Sequence, residues 1–355
     1  MEYNFTRKNI IKLLALSDPN SIKKLFEDAY RVKVENIGNK VYLRGLVEIS
    51  NICRKNCLYC GIRRDAPESD RYEIESDEVI RAAQFAYQQG YGSMVIQGGE
   101  RHDKKFIDKI TAILKEIRNI SKESSLGITL SLGEQSLEVY RQWFEAGAHR
   151  YLLRIESSNQ ELFEKIHPVD SCHSFQTRLQ ALYDLRTAGF QVGTGVMIGL
   201  PFQTLEHLAD DLLFFKSFDI DMCGMGPYLE HSQTPLYQYR NLLIPKQQRL
   251  ELSLKMVAIL RLMMPKINIA ATTAMQSIDP AGREKAILAG ANVIMPNLTL
   301  SEVRGEYCIY ENKPGVGEDA AITSSSLESM LNNAGIPIGY NEWGDSIHFK
   351  ERRSK

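Results

Sequence analysis

One short stretch decides how this chain folds: residues 41–60 read VYLRGLVEIS followed by NICRKNCLYC. The first half is rich in apolar and β-branched residues and predicts a β-strand over 42–50. The second half places Cys53, Cys57 and Cys60 in the loop after that strand, with the spacing C-x3-C-x2-C. Three of the six cysteines therefore lie within eight positions. Such clustering indicates a metal site rather than a disulfide framework.

Similar β-rich segments recur along the chain, at 42–50, 93–98, 127–132, 150–155, 191–198, 221–226, 267–272 and 291–295. Most gaps between them carry the apolar spacing of amphipathic helices. Four glycines stand just before a strand, where the end of a helix favours this residue: Gly90, Gly147, Gly189 and Gly290. Alternating strands and helices predict a parallel sheet. Eight strands without a dinucleotide fingerprint favour an α/β fold of the complete (β/α)8 TIM-type barrel over a doubly wound sheet.

The remaining residues flank this barrel. Residues 1–40 are predicted to form an N-terminal helical extension, residues 41–300 the barrel, and residues 301–355 a C-terminal closing segment packed on the barrel. Within the closing segment, glycines and serines over 314–326 predict a loop.

Composition and charge exclude several kinds of partner. The chain has 43 Lys and Arg against 44 Asp and Glu, without a basic stripe, so nucleic acid is not an expected partner. No window reaches the ~18 uninterrupted apolar residues of a membrane span, and the N-terminus is polar. We therefore expect a cytoplasmic protein with no membrane partner.

The number of clustered cysteines is informative. A structural zinc site and a simple ferredoxin-type cluster each take four ligands, so three thiolates leave one metal with an open position. In a four-iron cubane, the open iron could chelate the amino and carboxylate groups of S-adenosylmethionine (SAM), where an electron from the cluster can cleave the C–S bond. The alternative is a zinc site completed by a distant histidine or by Cys172.

Active sites of such barrels are built at the carboxyl ends of the strands. Strand two ends in QGGE at 97–100, where Gly98 and Gly99 let the backbone approach a ligand; an ordinary tight turn is the alternative. Strand three presents Thr129 and Ser131 on one face, where their hydroxyls would line a polar pocket.

Charged residues end the fourth strand. Arg154 and Glu156 share a face that points into the barrel, where an unpaired charge costs several kcal/mol. An Arg154–Glu156 ion pair is one interpretation of the arginine, whereas ligand contact is favoured for the glutamate. Strand five ends near Gly199, which shapes a turn that could expose backbone to adenine. Arg178, in the following helix, is by default a solvated side chain.

The cysteine motif resembles the signature of the radical SAM superfamily. Tyr59, directly before the last cysteine, matches an aromatic residue that lies near the adenine in that superfamily, and the paired glycines resemble its glycine-rich motif. Further segments closely resemble the radical SAM FeFe-hydrogenase maturases of the biotin-synthase-like group, over nearly the whole chain: ISNICRKNCLYCGIRR (49–64), LSLGE (130–134), RYLLR (150–154), ATTAM (271–275) and VIMPN (293–297).

The resemblance implies roles for individual residues. The three clustered cysteines would bind a 4Fe-4S cluster, and Glu156 and Arg178 match positions that contact SAM. Other matched positions face the substrate cavity: Thr129, Arg154, Thr272, Thr273, Met295, Tyr307 and Tyr310. Some members carry three further cysteines near the C-terminus for a second cluster. This chain has none after Cys308, which predicts a single cluster.

The resemblance also implies a function. Its substrate would be a small organometallic or amino-acid-derived molecule, an iron–carbonyl–cyanide–cysteine complex converted toward the bridging dithiolate of the hydrogenase H-cluster. Partners would be a reductant such as ferredoxin or flavodoxin and the sister tyrosine-lyase and GTPase scaffold maturases. The nearest alternative is a methylornithine-synthase-like mutase. Biotin synthase is disfavoured because ESSN stands at 156–159 in place of its YNHN motif. A non-catalytic iron–sulfur or zinc protein is the alternative from another class.

Overall fold

The computed structural model of the protein describes residues 3–67, 70–120, 126–317 and 320–354, and its centre is a ring of eight parallel strands. Taken around the ring, these are β10 (Val293–Ile294), β1 (Tyr42–Ser50), β2 (Ser93–Gly98), β3 (Gly127–Ser131), β4 (Arg150–Leu152), β5 (Gln191–Thr194), β7 (Met222–Cys223) and β9 (Asn268–Ile269). A parallel bridge between Ala270 and Val293 joins the last strand to the first. The ring confirms the predicted (β/α)8 barrel, although a single bridge and not a ladder completes it.

Several strands are shorter than the sequence predicts. The segments 191–198 and 221–226 each break, and their distal parts form the short paired strands β6 (Met197–Ile198) and β8 (Gly226–Pro227). At the break the two segments run side by side in very close approach, since a Cβ on Gly195 would stand 1.9 Å from the carbonyl oxygen of Gly224. The segment 150–155 leaves the strand after Leu152, and 267–272 leads into a helix at Thr273.

Helices surround the ring: α1 (Arg7–Leu14), α2 (Pro19–Ile37), α3 (Ser76–Gln88), α4 (Lys104–Ile120), α5 (Leu137–Ala146), α6 (Gln160–Ile166), α7 (Phe175–Thr187), α8 (Leu205–Phe218), α9 (Lys246–Met263), α10 (Thr273–Ile278), α11 (Gly282–Leu288), α12 (Ser301–Arg304), α13 (Ala320–Asn333) and α14 (Ile347–Arg353). A 3-10 helix covers Pro235–Leu242. The glycines at 90, 147, 189 and 290 all have positive φ, which confirms their predicted place at helix ends. Helices α1 and α2 pack against α8 and α9.

The prediction of a loop over 314–326 is wrong for the part from Ala320 onward, which is the start of α13. The polar sequence conceals a buried face, because Leu327 and Leu331 are buried at helical spacing. Ser324 hydrogen-bonds with the hydroxyl of Tyr91 at 2.7 Å, so a serine contributes to that face as well. Residues 318–319 lie outside the described residues.

The chain covers the amino-terminal end of its own barrel with residues 339–346, which we term the base segment. Arg44 Nη2 and Asn268 Nδ2 donate to the carbonyl oxygen of Gly344, at 3.1 and 2.8 Å. Asp345 pairs with Arg150 at 2.6 Å. The carboxyl ends of the strands form the other end, which we term the mouth. No helix in the described ranges is long and apolar enough to cross a membrane.

Candidate active site

The cysteine loop (residues 51–60) leaves β1 at the mouth and lies directly against the end of β2. A Cβ on Gly99 would stand 2.3 Å from the carbonyl oxygen of Ile52 and 2.8 Å from Cβ of Cys53. The backbone N–H of Glu100 donates to Cys53 Sγ at 3.3 Å. Gly99 therefore needs to be glycine because the cysteine loop itself lies against it. From the sequence, the need for glycine here was explained by the approach of a ligand.

The three thiols of the loop are close enough to influence one another. Burial raises the pKa of Cys57 to about 12, against the opposing charge of Arg178 and with a smaller contribution from the charge of Cys53. Burial likewise raises the pKa of Cys60, together with the charges of the two other cysteines. All six cysteines lie in the described part of the chain and none is in a disulfide. Neutral thiols that lie near one another become good ligands once a metal replaces their protons.

The donor set of this loop fits a cluster. A structural zinc site takes four protein ligands, and this loop supplies three thiols. In a four-iron cubane each cysteine binds a different iron, so three thiols hold three irons and leave the fourth for another ligand. The number of thiols therefore suits a four-iron cluster better than one tetrahedral zinc ion.

Glu156 stands at the mouth in an uncommon backbone conformation. Its φ is 64°, in the left-handed region, and its N–H donates to the carbonyl of Gly195 at 3.0 Å. Burial raises the pKa of its carboxyl group, although Arg154 and Arg178 oppose the shift. Strained, buried polar residues of this kind cluster at functional sites.

The carboxylate of Glu156 is only partly satisfied by the protein. Its Oε2 lies 3.2 Å from Arg154 Nη2, so the ion pair foreseen as one interpretation of Arg154 is present. Nevertheless, Oε2 has no hydrogen-bond partner among the residues described. Arg154 also donates to the carbonyl of Val196 at 2.7 Å. A buried acceptor without a donor is where a ligand hydroxyl would bind.

Arg178 is buried, so its interpretation as a solvated helix side chain is wrong. Its Nε lies 2.5 Å from Glu134 Oε1, and its Nη1 donates to the carbonyl of Arg154 at 2.5 Å. Burial alone would lower the pKa of Arg178, but the charges of Glu134, Tyr59 and Glu100 outweigh it and raise the pKa. The arginine therefore stays charged beside the cysteine loop.

Sequence reasoning missed the acidic partners of this arginine. Glu134 and Glu100 follow β3 and β2 directly, and both are buried. The rule that functional groups gather at strand ends would have selected both residues. From the sequence, a role was assigned to the glycines before Glu100 and to the hydroxyls before Glu134, but not to the two glutamates themselves.

Tyr59 and Gly199 occupy fixed positions around the mouth. The Tyr59 ring is half-buried and meets His167 edge-on, with ring centroids 5.3 Å apart and Oη 3.3 Å from Nε2. Gly199 has a φ of 82°, and a Cβ there would stand 2.4 Å from Arg249 Cγ. Its N–H donates to Gln203 Oε1 at 2.6 Å.

Two of the predicted substrate residues meet on the barrel axis. Thr129 and Met295 line one internal cavity of about 30 Å³, together with Arg44, Cys223 and Asn268 among others. Thr129 Oγ1 accepts from Arg150 Nε at 3.0 Å. Ser131 is half-buried two residues further along β3.

The other predicted substrate residues lie nearer the mouth. Thr272 Oγ1 donates to the carbonyl of Met225 at 3.4 Å, and Thr273 Oγ1 accepts from Arg283 Nη2 at 2.9 Å. Tyr307 is buried, and its hydroxyl oxygen accepts from Gln97 Nε2 at 3.3 Å. Burial raises the pKa of Tyr310 to about 12.

The segment that carries these tyrosines reaches over the cysteine loop. The N–H of Gly61 donates to the carbonyl of Ile309 at 3.0 Å, and a Cβ on Gly61 would clash with the carbonyl of Cys308. The closing segment thus contributes directly to the mouth.

Comparison with known proteins agrees with this architecture. Residues 47–215 match the Radical SAM superfamily. The chain is 42% identical to the [FeFe] hydrogenase maturase subunit HydE of Thermotoga maritima, over 96% of this chain and 93% of that protein. It is 26% identical to the 3-methylornithine synthase of Methanosarcina acetivorans, over 79% and 76%. The crystal structure of methylornithine synthase (PylB) has a TM-score of 0.77 at 22% identity, over 96% and 95% of the two chains, and shares the fold.

A parallel (β/α)8 barrel with a three-cysteine loop at its mouth defines a radical SAM enzyme. Such enzymes use a 4Fe-4S cluster and SAM. The chain belongs to the HydE family of [FeFe] hydrogenase maturases. This confirms the family resemblance noted in the sequence.

Proposed function

We propose that this chain acts in FeFe-hydrogenase maturation on an iron–carbonyl–cyanide–cysteine precursor, which it converts toward the bridging dithiolate of the H-cluster. The observation that carries the proposal is the near-full-length similarity to HydE. We further propose that one cluster is bound, because no cysteine follows Cys308.

Cys53, Cys57 and Cys60 would hold the cluster, which when bound supplies the electron that cleaves SAM to a 5′-deoxyadenosyl radical. Glu156 would accept a hydrogen bond from a ribose hydroxyl, which fits its Oε2, an atom that accepts no hydrogen bond from the described residues. Arg178 would neutralise the SAM carboxylate. The adenine end would lie near Tyr59 and the backbone at Gly199, and the amino group near Gly98 and Gly99.

Hydrogen-bond donors would hold the substrate. Arg154 and the hydroxyls of Thr129, Ser131, Thr272 and Thr273 can donate to anionic cyanide and carboxylate groups. Met295 would offer a soft sulfur contact, and Tyr307 and Tyr310 would close the cavity from the side of the closing segment. Enclosure keeps water away and holds reacting atoms near contact distance.

The partners follow from the same reaction. A reductant such as ferredoxin or flavodoxin would supply the electron, the sister tyrosine-lyase maturase would supply the precursor, and the GTPase scaffold maturase would receive the product. A cytoplasmic location would suit an oxygen-sensitive cluster held by reduced thiols.

The test is anaerobic reconstitution followed by assay of 5′-deoxyadenosine, with and without the iron–cysteine synthon. Wild type should cleave SAM and consume the synthon. Cys57→Ala should lose the cluster and reduce cleavage at least ~100-fold. The matched control Cys172→Ala should retain the cluster and the cleavage of SAM, because Cys172 lies outside the cysteine loop.

Other outcomes would contradict the proposal. Consumption of lysine in place of the synthon would identify a methylornithine-synthase-like mutase. A cluster whose spectrum does not change with SAM, or reconstitution with zinc, would identify a non-catalytic metal protein. Full SAM cleavage by Cys57→Ala would refute the cysteine assignment.

A further inference from the structure

Four buried charges lie between the cysteine loop and helix α7. Lys55 Nζ is 2.8 Å from Glu134 Oε2 and 3.5 Å from Glu100 Oε1. Arg178 Nε is 2.5 Å from Glu134 Oε1. Each of the four side chains is at most 8% exposed. Two cations and two anions balance one another here, as buried charges must.

Glu134 is the member that joins the others. Its two carboxylate oxygens pair with different cations, and its backbone N–H donates to Glu100 Oε2 at 2.8 Å. Its carbonyl oxygen lies 2.7 Å from His102 Nε2. The preceding Gly133 has a φ of 76°, and a Cβ there would stand 2.4 Å from Glu100 Oε2. The end of β3 is therefore shaped to place this carboxylate.

The network spans both ends of the proposed SAM site. Lys55 belongs to the cysteine loop, two residues from Cys53 and two from Cys57. Arg178, which pairs with Glu134, also donates to the carbonyl oxygen of Arg154 at 2.5 Å, and Arg154 lies two residues before Glu156. One glutamate thus links the segment that would hold the cluster to the segment that would hold the ribose.

We propose that Glu134 is a positioning residue that keeps Arg178 and the cysteine loop at a fixed separation for SAM binding. The inference rests on the proposed function, because it takes SAM as the ligand of Arg178. Without this carboxylate, Arg178 would turn toward Glu100, the remaining carboxylate of the four buried charges. That movement withdraws the guanidinium from the SAM carboxylate.

Glu134 also forms part of a wall. Lys55 and Glu134 both line an open cleft of about 600 Å³, together with Arg54, His102 and Cys172 among others. Because Arg54 and Lys55 belong to the cysteine loop, the loop itself borders this cleft, and the Lys55–Glu134 pair joins two parts of its wall. Loss of the pair should loosen the loop and admit water to it.

Glu134→Gln is the informative substitution, because glutamine keeps the shape and removes the charge. Its one carbonyl oxygen can accept from only one of the two cations, and its NH2 group would face the other. The matched control is Glu138→Gln, the same change at an exposed position in the first turn of α5.

In the first experiment SAM is titrated into the reduced, reconstituted enzymes, and the electron paramagnetic resonance spectrum of the cluster is followed. Glu134→Gln should retain the iron content and SAM-free spectrum of wild type while its Kd for SAM rises at least about tenfold. In turnover, KM for SAM should rise more than kcat falls. Glu138→Gln should stay within about twofold of wild type.

A second experiment uses the cluster-free chains. Cys57 should react with a thiol reagent several times faster in Glu134→Gln than in wild type, as measured on its peptide by mass spectrometry. Should Glu134→Gln fail to fold, Glu134→Asp keeps the charge but is too short to reach both cations, and it should show an intermediate Kd for SAM.

Two results would overturn the inference: an unchanged Kd for SAM in a fully loaded Glu134→Gln, or a poorly folding Glu134→Gln beside a Glu134→Asp with wild-type affinity. Failure of wild type itself to bind SAM would instead refute the proposed function. In that case the labelling rate of Cys57 would still decide whether Glu134 restrains the cysteine loop.

Discussion

Both ends of the barrel bury arginines, but they neutralise them differently. At the mouth, Arg178 lies near the carboxylates of Glu134 and Glu100, and its pKa is raised. At the base, Arg44 and Arg150 lie near the carboxylate of Asp345, and burial is the main reason that the pKa of Arg150 falls to about 10. At the mouth, Lys55 and Arg178 thus face two carboxylates, whereas at the base Arg44 and Arg150 share the single carboxylate of Asp345.

The difference indicates different uses. At the base, the chain covers its own arginines with the base segment, whose carbonyls at Trp343 and Gly344 accept from Arg150 and Arg44 at 3.0 and 3.1 Å. At the mouth, the chain leaves Glu156 Oε2 without a hydrogen-bond donor from the described residues; at the base, Arg44 Nε and His149 Nε2 also lack a hydrogen-bond partner among them, but both side chains contact the base segment. We infer that the base contributes mainly to stability and the mouth mainly to ligand binding.

The largest expected effect is at the base. Asp345→Asn removes the carboxylate that pairs with the fully buried Arg150 at 2.6 Å, so the free energy of unfolding should fall by about 3 kcal/mol near pH 7. Urea denaturation measures this loss. The Kd for SAM of the reconstituted variant should equal that of wild type.

The matched control is Asp65→Asn, which breaks the exposed pair with Arg64 and should leave the free energy of unfolding unchanged within the error of the measurement. If Asp345→Asn weakened SAM binding without loss of stability, the two ends would not be separate in function.

The second largest effect should be a pH dependence of the free energy of unfolding, caused by His149 at the base. Burial, followed by the charge of Arg150, lowers the pKa of His149 to about 4, against about 6.5 in an unfolded chain. The folded state therefore binds a proton at His149 less readily than the unfolded state does. The contribution of neutral His149 to the free energy of unfolding is present above pH ~6.5 and is lost as pH falls toward ~4. Between pH ~7 and ~5, His149 should account for a loss of about 2 kcal/mol in the free energy of unfolding.

His149→Asn should flatten the curve of unfolding free energy over that interval, measured by urea denaturation at each pH. Asp345, whose pKa is lowered, should not interfere, because its contribution persists until pH falls below ~4. Equal slopes in wild type and variant would show that His149 is not responsible.

The smallest effect is expected at the edge of the base segment. The ring of Trp343 lies 4.5 Å from the ring of His149 and is 37% exposed, while its main contact with Arg150 is through the backbone carbonyl. Trp343→Ala should therefore cost only about 1 kcal/mol of unfolding free energy, and Trp343→Phe less, since phenylalanine keeps an aromatic ring against His149. If Trp343→Ala lost as much unfolding free energy as Asp345→Asn, packing and not charge would be the main stabilising interaction at the base.

Local patterns in the sequence were sufficient for the barrel, the cysteine loop and the family. Strand and helix periodicity depends on neighbouring residues, and the spacing of Cys53, Cys57 and Cys60 reflects one loop, so neither needs distant contacts to be recognised. The same reasoning failed where two strands break side by side, at Gly195 and Gly224, because close backbone approach is a property of two segments together.

Only the tertiary structure decided which charged side chains are buried and which residues they pair with. Arg178 looked like an ordinary helix side chain because its partner Glu134 lies 44 residues earlier, and Lys55 reaches the same carboxylate across 79 residues. Arg150 meets Asp345 across 195 residues. The energy of a buried ion depends on the groups that surround it in space, which the order of residues along the chain does not specify.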